Sequence, residues 1–377
     1  MNLSIDINYN LQSLLDILGL TQGLSFGILL LILSYRHFRS TYFLGIFLVL
    51  YALKLLIFIP SGLNLIPYYP ELFLLPFDFS WILFPIFFVY TQKISIFSDE
   101  KIKYWVLYPG IASFILQTVI YFLPFSLKTE IAESFWHEFG FTFLGIFYSW
   151  GIGIWNLKLL NRHREEVENT FSYLENKLLN WVRIFLLYLL ITSVLVHILY
   201  YVSPDNYYFK MLFSIIDLIA IFWLGLNGIM QQNVLSTLNY KKSGLSFQVQ
   251  EIGNDKMSTD NDENLKVLMG KIDNYMKSSE AYLISELTIV DLADKLKMHP
   301  KKISTTINGI FKQNFNSYVN YLRIRKAEDL LSKKSTDYLS VEGIGKEVGF
   351  HSKSAFYAAF KKITGTTPNK YKDSIAR

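Results

Sequence analysis

Residues 349–372 read GFHSKSAFYAAFKKITGTTPNKYK. Gly349 supplies a turn after a short helical stretch in which Val341, Ile344 and Val348 share one face. Ser352 stands where a second helix would be N-capped, and Phe356 and Phe360, at i and i+4, point inward from it. Lys353, Ser354 and Tyr357 are left on the outside, with Lys361 and Lys362 near phosphate reach. Thr367-Pro368 opens a last short helix containing Tyr371. Two short helices around a tight turn, the second presenting basic and hydroxyl side chains, make a helix-turn-helix pattern.

The same layout occurs about fifty residues earlier, an internal duplication. Thr288 can cap a helix running to Leu296, with Leu292, Ala293 and Leu296 facing inward. The turn Lys297-Met298-His299 follows, and Pro300 sits where a second helix begins. That helix, 300–308, buries Ile303 and Ile307 and exposes Lys301, Lys302, Ser304 and Thr305. A long helix over about 315–333 joins the units and offers Tyr318, Leu322, Ala327, Leu330 and Leu331 to a core. From Leu287 onward there are 17 basic against 8 acidic residues, a footprint of nucleic-acid binding. Two such units on one rigid helix can enter successive major grooves of duplex DNA.

Gly349-Phe350, Ser352-x-Ser354, Phe356, Phe360-Lys361, Gly365, Thr367-Pro368 and Tyr371 together closely resemble the signature of AraC-type transcription regulators. LTIVDLADKLKMHPKKIS (287–304) resembles that family's first unit, and YLRIRKAEDLL (321–331) its linker helix. The resemblance implies an all-α domain of about seven helices, sequence-specific binding of double-stranded DNA, and activation through contact with RNA polymerase. It also departs from the family. Ala358 stands where a base-reading arginine is frequent, Gly343 and Gly345 replace helix formers, and His299 replaces a Ser or Thr cap. Base readout is therefore expected from Lys301, Ser304 and Thr305 in the first unit and Lys353, Ser354 and Tyr357 in the second. A lysine can bond guanine O6/N7, a contact worth about 1–3 kcal/mol of discrimination. A phosphate contact carries no sequence information, and it is the commoner fate of each individual lysine here, Lys302 and Lys361 included.

Outside this region the chain changes character. Of 377 residues, 51% are apolar and 18% charged, with a mean hydropathy of +0.27, too apolar for one soluble fold. Residues 1–240 hold 13 Lys/Arg against 15 Asp/Glu and all 7 Trp, whereas residues 241–377 hold 23 against 16. Such asymmetry suggests a membrane part joined to a DNA-binding part. Stretches near 11–34, 41–59, 72–91, 104–123, 139–160, 181–202 and 211–231 are each long enough to cross a bilayer as a helix. No Lys or Arg precedes the first, so it reads as a retained span rather than a signal peptide. Arg36, Arg39, Lys93, Lys101, Lys103, Lys158, Arg162, Arg164 and Lys177 follow spans 1, 3 and 5. Only Lys128 and Lys210 occupy the other loops. The positive-inside rule then puts the N-terminus outside and the C-terminal half in the cytoplasm of a bacterial inner membrane. With about ten residues before the first span, no extracytoplasmic domain is expected, and any signal must be read by short loops or the bundle.

Lys54, Asp78, His197 and Asp217 are ionisable groups inside spans, all in the outward half. Such groups often mark a ligand or ion site; the plainer reading is an ion pair that fixes helix packing, or a snorkelling lysine. Gly23-Leu24-Ser25-Phe26-Gly27 matches the G-x-S-x-G hydrolase pattern but lies inside an apolar helix, where its glycines suit close helix packing instead. With zero cysteines, no metal-ligand spacing and no phosphate loop, the sequence offers no catalytic constellation, no metal site and no cofactor. Phe171, Leu174, Leu178 and Trp181 fall on one helical face and read as an amphipathic helix on the membrane surface; extending span 6 to pass motion inward is the sharper alternative. Residues 241–263 lose periodicity and read as a tether. Leu265, Leu268, Ile272, Tyr275 and Met276 then form one face of a short helix, either packed on the next domain or paired with a second copy.

The expected architecture is therefore all-α. A seven-span bundle (1–236) contacts the lipid bilayer, a linker with a short amphipathic helix covers 237–283, and a double helix-turn-helix domain covers 284–377. The expected function is a membrane-embedded one-component transcription regulator, possible as a homodimer, answering an unknown small-molecule or membrane signal. The alternative is a transporter or membrane enzyme with an accessory DNA-binding domain, which inverted repeats and paired broken helices would favour.

Overall fold

The computed structural model describes residues 7–36, 41–203, 206–231, 262–333 and 339–375. Among them every regular element is helical, and one isolated antiparallel bridge joins Phe171 and Thr288. The chain divides into two units, Met1–His163 with Leu179–Leu245, and Arg164–Leu178 with Ser246–Arg377. Of the expected tether, 241–263, residues 241–261 lie outside the described residues, and Asp262 and Glu263 open a helix.

In the first unit, α1 (Leu11–Arg36), α2 (Tyr42–Lys54), α3 (Leu83–Ile94), α4 (Tyr108–Tyr121), α5 (Phe125–Glu133), the greater part of α6 (Leu144–Thr170), α7 (Asn180–Val202) and α8 (Tyr207–Met230) follow in order. Among the described residues, six helical stretches are long and apolar enough to cross a membrane: Leu11–Ser34, Tyr42–Gly62, Tyr104–Tyr121, Phe135–Thr170, Asn180–Leu199 and Tyr207–Met230. The stretch expected as a third span differs. Its only α-helix, α3, has 12 residues, about 18 Å at 1.5 Å per residue, well short of a hydrocarbon core. Pro70 and Pro76 interrupt the chain before it, and Leu74 adopts a positive φ of 55°. Irregular backbone within an apolar bundle is tolerated where protein surrounds it, and α3 is buried over nearly its whole length.

Aromatic residues fill this core. Phe47, Phe87 and Phe185 meet pairwise with ring centroids 5.2–5.7 Å apart, tying α2, α3 and α7 together. The G-x-S-x-G stretch lies in mid-α1. A Cβ on Gly27 would fall 2.7 Å from Val49 Cγ2 and 3.0 Å from the Gly45 carbonyl, so the glycine permits close approach of α1 and α2.

The second unit contains α9 (Asp262–Ser278), α10 (Ile289–Leu296), α11 (Pro300–Phe311), α12 (Phe315–Ser332), α13 (Val341–Glu347), α14 (Lys353–Thr364) and α15 (Pro368–Ile375). One core gathers Ile272 and Met276 of α9 with Ile289, Leu292, Ile303, Ile307, Phe315, Tyr318 and Val319. The amphipathic helix thus packs on the helix-turn-helix itself. A second core joins Ile324, Ala327 and Leu331 to Ile344, Val348, Phe350, Phe356 and Phe360. The linker helix α12 serves both.

The amphipathic helix expected over 171–181 does not form. α6 ends at Thr170, α7 begins at Asn180, and Asn176 (φ 61°) and Leu179 (φ 51°) take left-handed conformations that a continuous helix excludes. Phe171 is instead buried, with its backbone bridged to Thr288 in the second unit.

Candidate nucleic-acid interface

Local chemistry sets the two reading helices. Thr288 and Asp291 form a reciprocal capping box on α10: the Asp291 N–H donates to Thr288 Oγ1 at 3.2 Å, and the Thr288 N–H to Asp291 Oδ2 at 2.8 Å. Lys297 (φ 52°) turns the chain, and His299 caps α11 by accepting from the Lys301 N–H at Nδ1 (3.2 Å), with Pro300 in the first turn. The imidazole therefore does the work expected of a hydroxyl. In the repeat, Ser340 accepts from the Gly343 N–H (3.0 Å) and Ser352 from the Ala355 N–H (3.3 Å).

These caps fix which side chains face out. On α11, Lys301, Lys302 and Thr305 are exposed and Ser304 half-buried, while Ile303, Thr306 and Ile307 face the core. Asn308, which sequence reasoning passed over, is exposed on the same side as Lys301 and Thr305, at i+7 and i+3. On α14, Lys353, Ser354 and Lys361 are exposed and Tyr357 is half-buried. Lys353 is engaged: Nζ lies 2.6 Å from Glu342 Oε1 and 5.4 Å from the centre of the Tyr357 ring. Tyr357 donates to Glu342 (3.3 Å) and meets Asn369 Oδ1 at 3.2 Å. The hydrogen bond between Lys353 and Glu342 raises the ammonium's pKa and lowers the carboxyl's. Both are thus charged at neutral pH, and any anion approaching Lys353 must compete with Glu342.

A residue missed by sequence reasoning organises the unit. Arg323 is 1% exposed, in the inward stripe Phe315, Val319, Arg323, Ala327, Leu331 of α12. It donates from Nε to the Tyr282 carbonyl and from Nη2 to that of Ile284, both at 2.7 Å, and from Nη2 to Ser172 Oγ at 3.3 Å. Its guanidinium also lies 5.5 Å from the centre of the Phe350 ring. Burial lowers its pKa to about 10, still leaving it cationic at neutral pH. The i, i+4 spacing of that stripe was the available signal.

The four ionisable candidates of the apolar stretches separate. Asp217 Oδ1 accepts from Tyr51 (2.8 Å) and Tyr188, and Lys54 adds its positive charge to the same group. Asp16, which the sequence reading left out, is 4% exposed, faces Asp217 and Ser214, and its Oδ2 has no hydrogen-bond partner among the described residues. Asp78 accepts from the Ser80 N–H (3.0 Å), and its backbone exchanges two hydrogen bonds with Gln117. His197 Nδ1 pairs with the Ser193 carbonyl of its own helix at 2.5 Å. Lys54 and Asp217 belong to one cluster; Asp78 and His197 have other partners.

Residues 292–374 match the family model described as a helix-turn-helix domain. Over 102 residues the chain is 29% identical to the HTH-type transcriptional regulator AlkR of Acinetobacter baylyi, which covers 27% of this chain and 32% of that one. Over 86 residues it is 31% identical to the melibiose operon regulatory protein of Escherichia coli, covering 23% and 28% respectively. The chain thus spans about a third or less of the length of these curated relatives. No solved structure matches it.

Proposed function

We propose that the chain is a membrane-embedded one-component transcription regulator. Its C-terminal helix-turn-helix pair reads promoter DNA, and its apolar unit senses the signal. The observation that carries this reading is the joining, in one chain, of a matched helix-turn-helix domain to six helices of membrane-crossing length. Both AlkR and the melibiose operon protein are named as regulators, which favours regulation over an accessory role. Lys301, Lys302, Ser304, Thr305, Lys353, Ser354, Tyr357 and Lys361 are the proposed DNA-contacting groups, now joined by Asn308. The domain boundaries near 236 and 284 are part of the proposal, with residues 164–178 added to the DNA-reading side.

The charge distribution of the loops supports a cytoplasmic C-terminal half in a multi-pass inner-membrane protein. For the signal we favour the cluster of Asp217, Lys54, Tyr51, Tyr188 and Asp16 over the four residues first singled out. Two carboxyl groups and one ammonium share a low-dielectric setting, and a ligand that changes the charge of the cluster can bias it. Genome-wide mapping of bound sites in the native host tests the regulator. The expected result is enrichment at one or more promoters; uniform background overturns the reading.

A further inference from the structure

Residues 164–178 are bracketed along the chain by the first unit, which ends at His163 and resumes at Leu179, yet they pack into the second. The docking is dense. Phe171 bridges to Thr288, and the Ser172 N–H donates to the Leu287 carbonyl at 3.0 Å. Asn316 Nδ2 donates to the carbonyls of Ser172 (2.8 Å) and Phe171 (3.3 Å), and Asn314 Nδ2 to Glu168 Oε2 (2.9 Å). Arg323 reaches Ser172 from beneath.

Two further contacts reach α11 and the turn that leads into α14. Asn308 Nδ2 donates to Asn169 Oδ1 at 3.2 Å, and Asn308 shares the exposed side of α11 with Lys301 and Thr305. The Tyr173 ring lies 4.6 Å from His351, the residue before the N-cap of α14. The segment also brings Glu165, Glu166, Glu168 and Glu175 against Arg164 and Lys177 alone. Carboxylates beside a phosphate-binding helix oppose the charge that DNA brings. A segment that occupies a side chain on the reading side and adds like charge competes with the duplex.

From this we infer that segment 164–178 is an autoinhibitory cover on the first reading helix. Docked, it holds Asn308 and adds net negative charge to the second unit; withdrawn, it releases Asn308 and takes that charge away. The inference rests on the proposed DNA-reading role of α11. Because the segment is continuous with α6 and α7, displacement of either helix is delivered to it directly.

The chain has zero cysteines, so the contact can be locked cleanly. In the detergent-solubilised full chain carrying N169C and N308C, a short bis-methanethiosulfonate should bridge the pair. The bridged protein should lose about tenfold or more in affinity for sheared host genomic DNA and recover it on reduction. Failure to bridge, or equal binding by the bridged and reduced forms, overturns the cover. If the unsubstituted protein binds no DNA, the DNA-reading role fails and takes the cover with it. A second variant reads the opposite direction. N316A removes two hydrogen bonds to the segment from a residue off the reading side, and should tighten DNA binding by about fivefold. A merely structural docking would leave affinity unchanged or weaken it, and that result also overturns the cover.

Discussion

At the residue scale, one carboxylate engages two of the proposed DNA-contacting side chains of α14. Glu342 engages both Lys353 and Tyr357, so Glu342→Gln should release the lysine to phosphate. An exposed pair of this kind is weak, and the expected gain in DNA affinity is about two- to fivefold, read by filter binding at fixed salt. Lowering the pH through the depressed carboxyl pKa should act in the same direction, since protonation removes the competing charge. Gly349 makes a different demand. It has φ +90°, and a Cβ there would lie 2.5 Å from the Leu283 carbonyl. Gly349→Ala should therefore destabilise the second unit by about 1–3 kcal/mol. Hydrogen exchange in the full chain checks this: protection should fall around 282–285 and 349–356 together while α1–α3 keep theirs. Arg323 binds the neighbouring Tyr282 and Ile284 carbonyls, and the added Cβ would also lie 3.1 Å from its Nε, so glycine, arginine and backbone must fit at once.

At the scale of elements, much was readable because the cause was local. Caps at Thr288 and Ser352, Pro300 in a first turn, and Phe356 with Phe360 at one-turn spacing act within a few residues, and the structure has each where the pattern put it. Thr288→Ala should cost about 1 kcal/mol by removing the α10 cap; a lowered melting temperature in detergent, with exchange rising first over 288–292, checks it. Two elements were not legible in this way. The apolar run 72–91 has the composition of a span, but Pro70, Pro76 and the left-handed Leu74 break it, and only surrounding side chains make a short buried helix acceptable there. Residues 171–178 carry helical periodicity, yet pairing with Thr288 and Leu287, more than a hundred residues away, decides their conformation. Periodicity describes one segment's own face; it is silent about a partner so distant in sequence. Arg323 lay between these cases, since its stripe was periodic but its charge concealed an inward position.

At the scale of the whole molecule, the proposed topology has a direct test. In a chain with zero native cysteines, a membrane-impermeant maleimide should label Tyr69→Cys from outside intact spheroplasts. Asp99→Cys should be labelled only after the membrane is opened. The reverse pattern would invert the orientation, and labelling of both from one side would mean that the 72–91 stretch turns back without crossing. The insertion of residues 164–178 into the second unit also bears on how such regulators can be recombined. The matched helix-turn-helix region begins at Leu292, and a graft that exchanged only the C-terminal third would look complete. It would leave Asn169, Phe171 and Ser172 in the recipient and send their counterparts on α11 and α12 elsewhere. Swapping the reading head therefore takes two junctions in each gene rather than one, and a chimera joined only at the tether inherits a lock without its key.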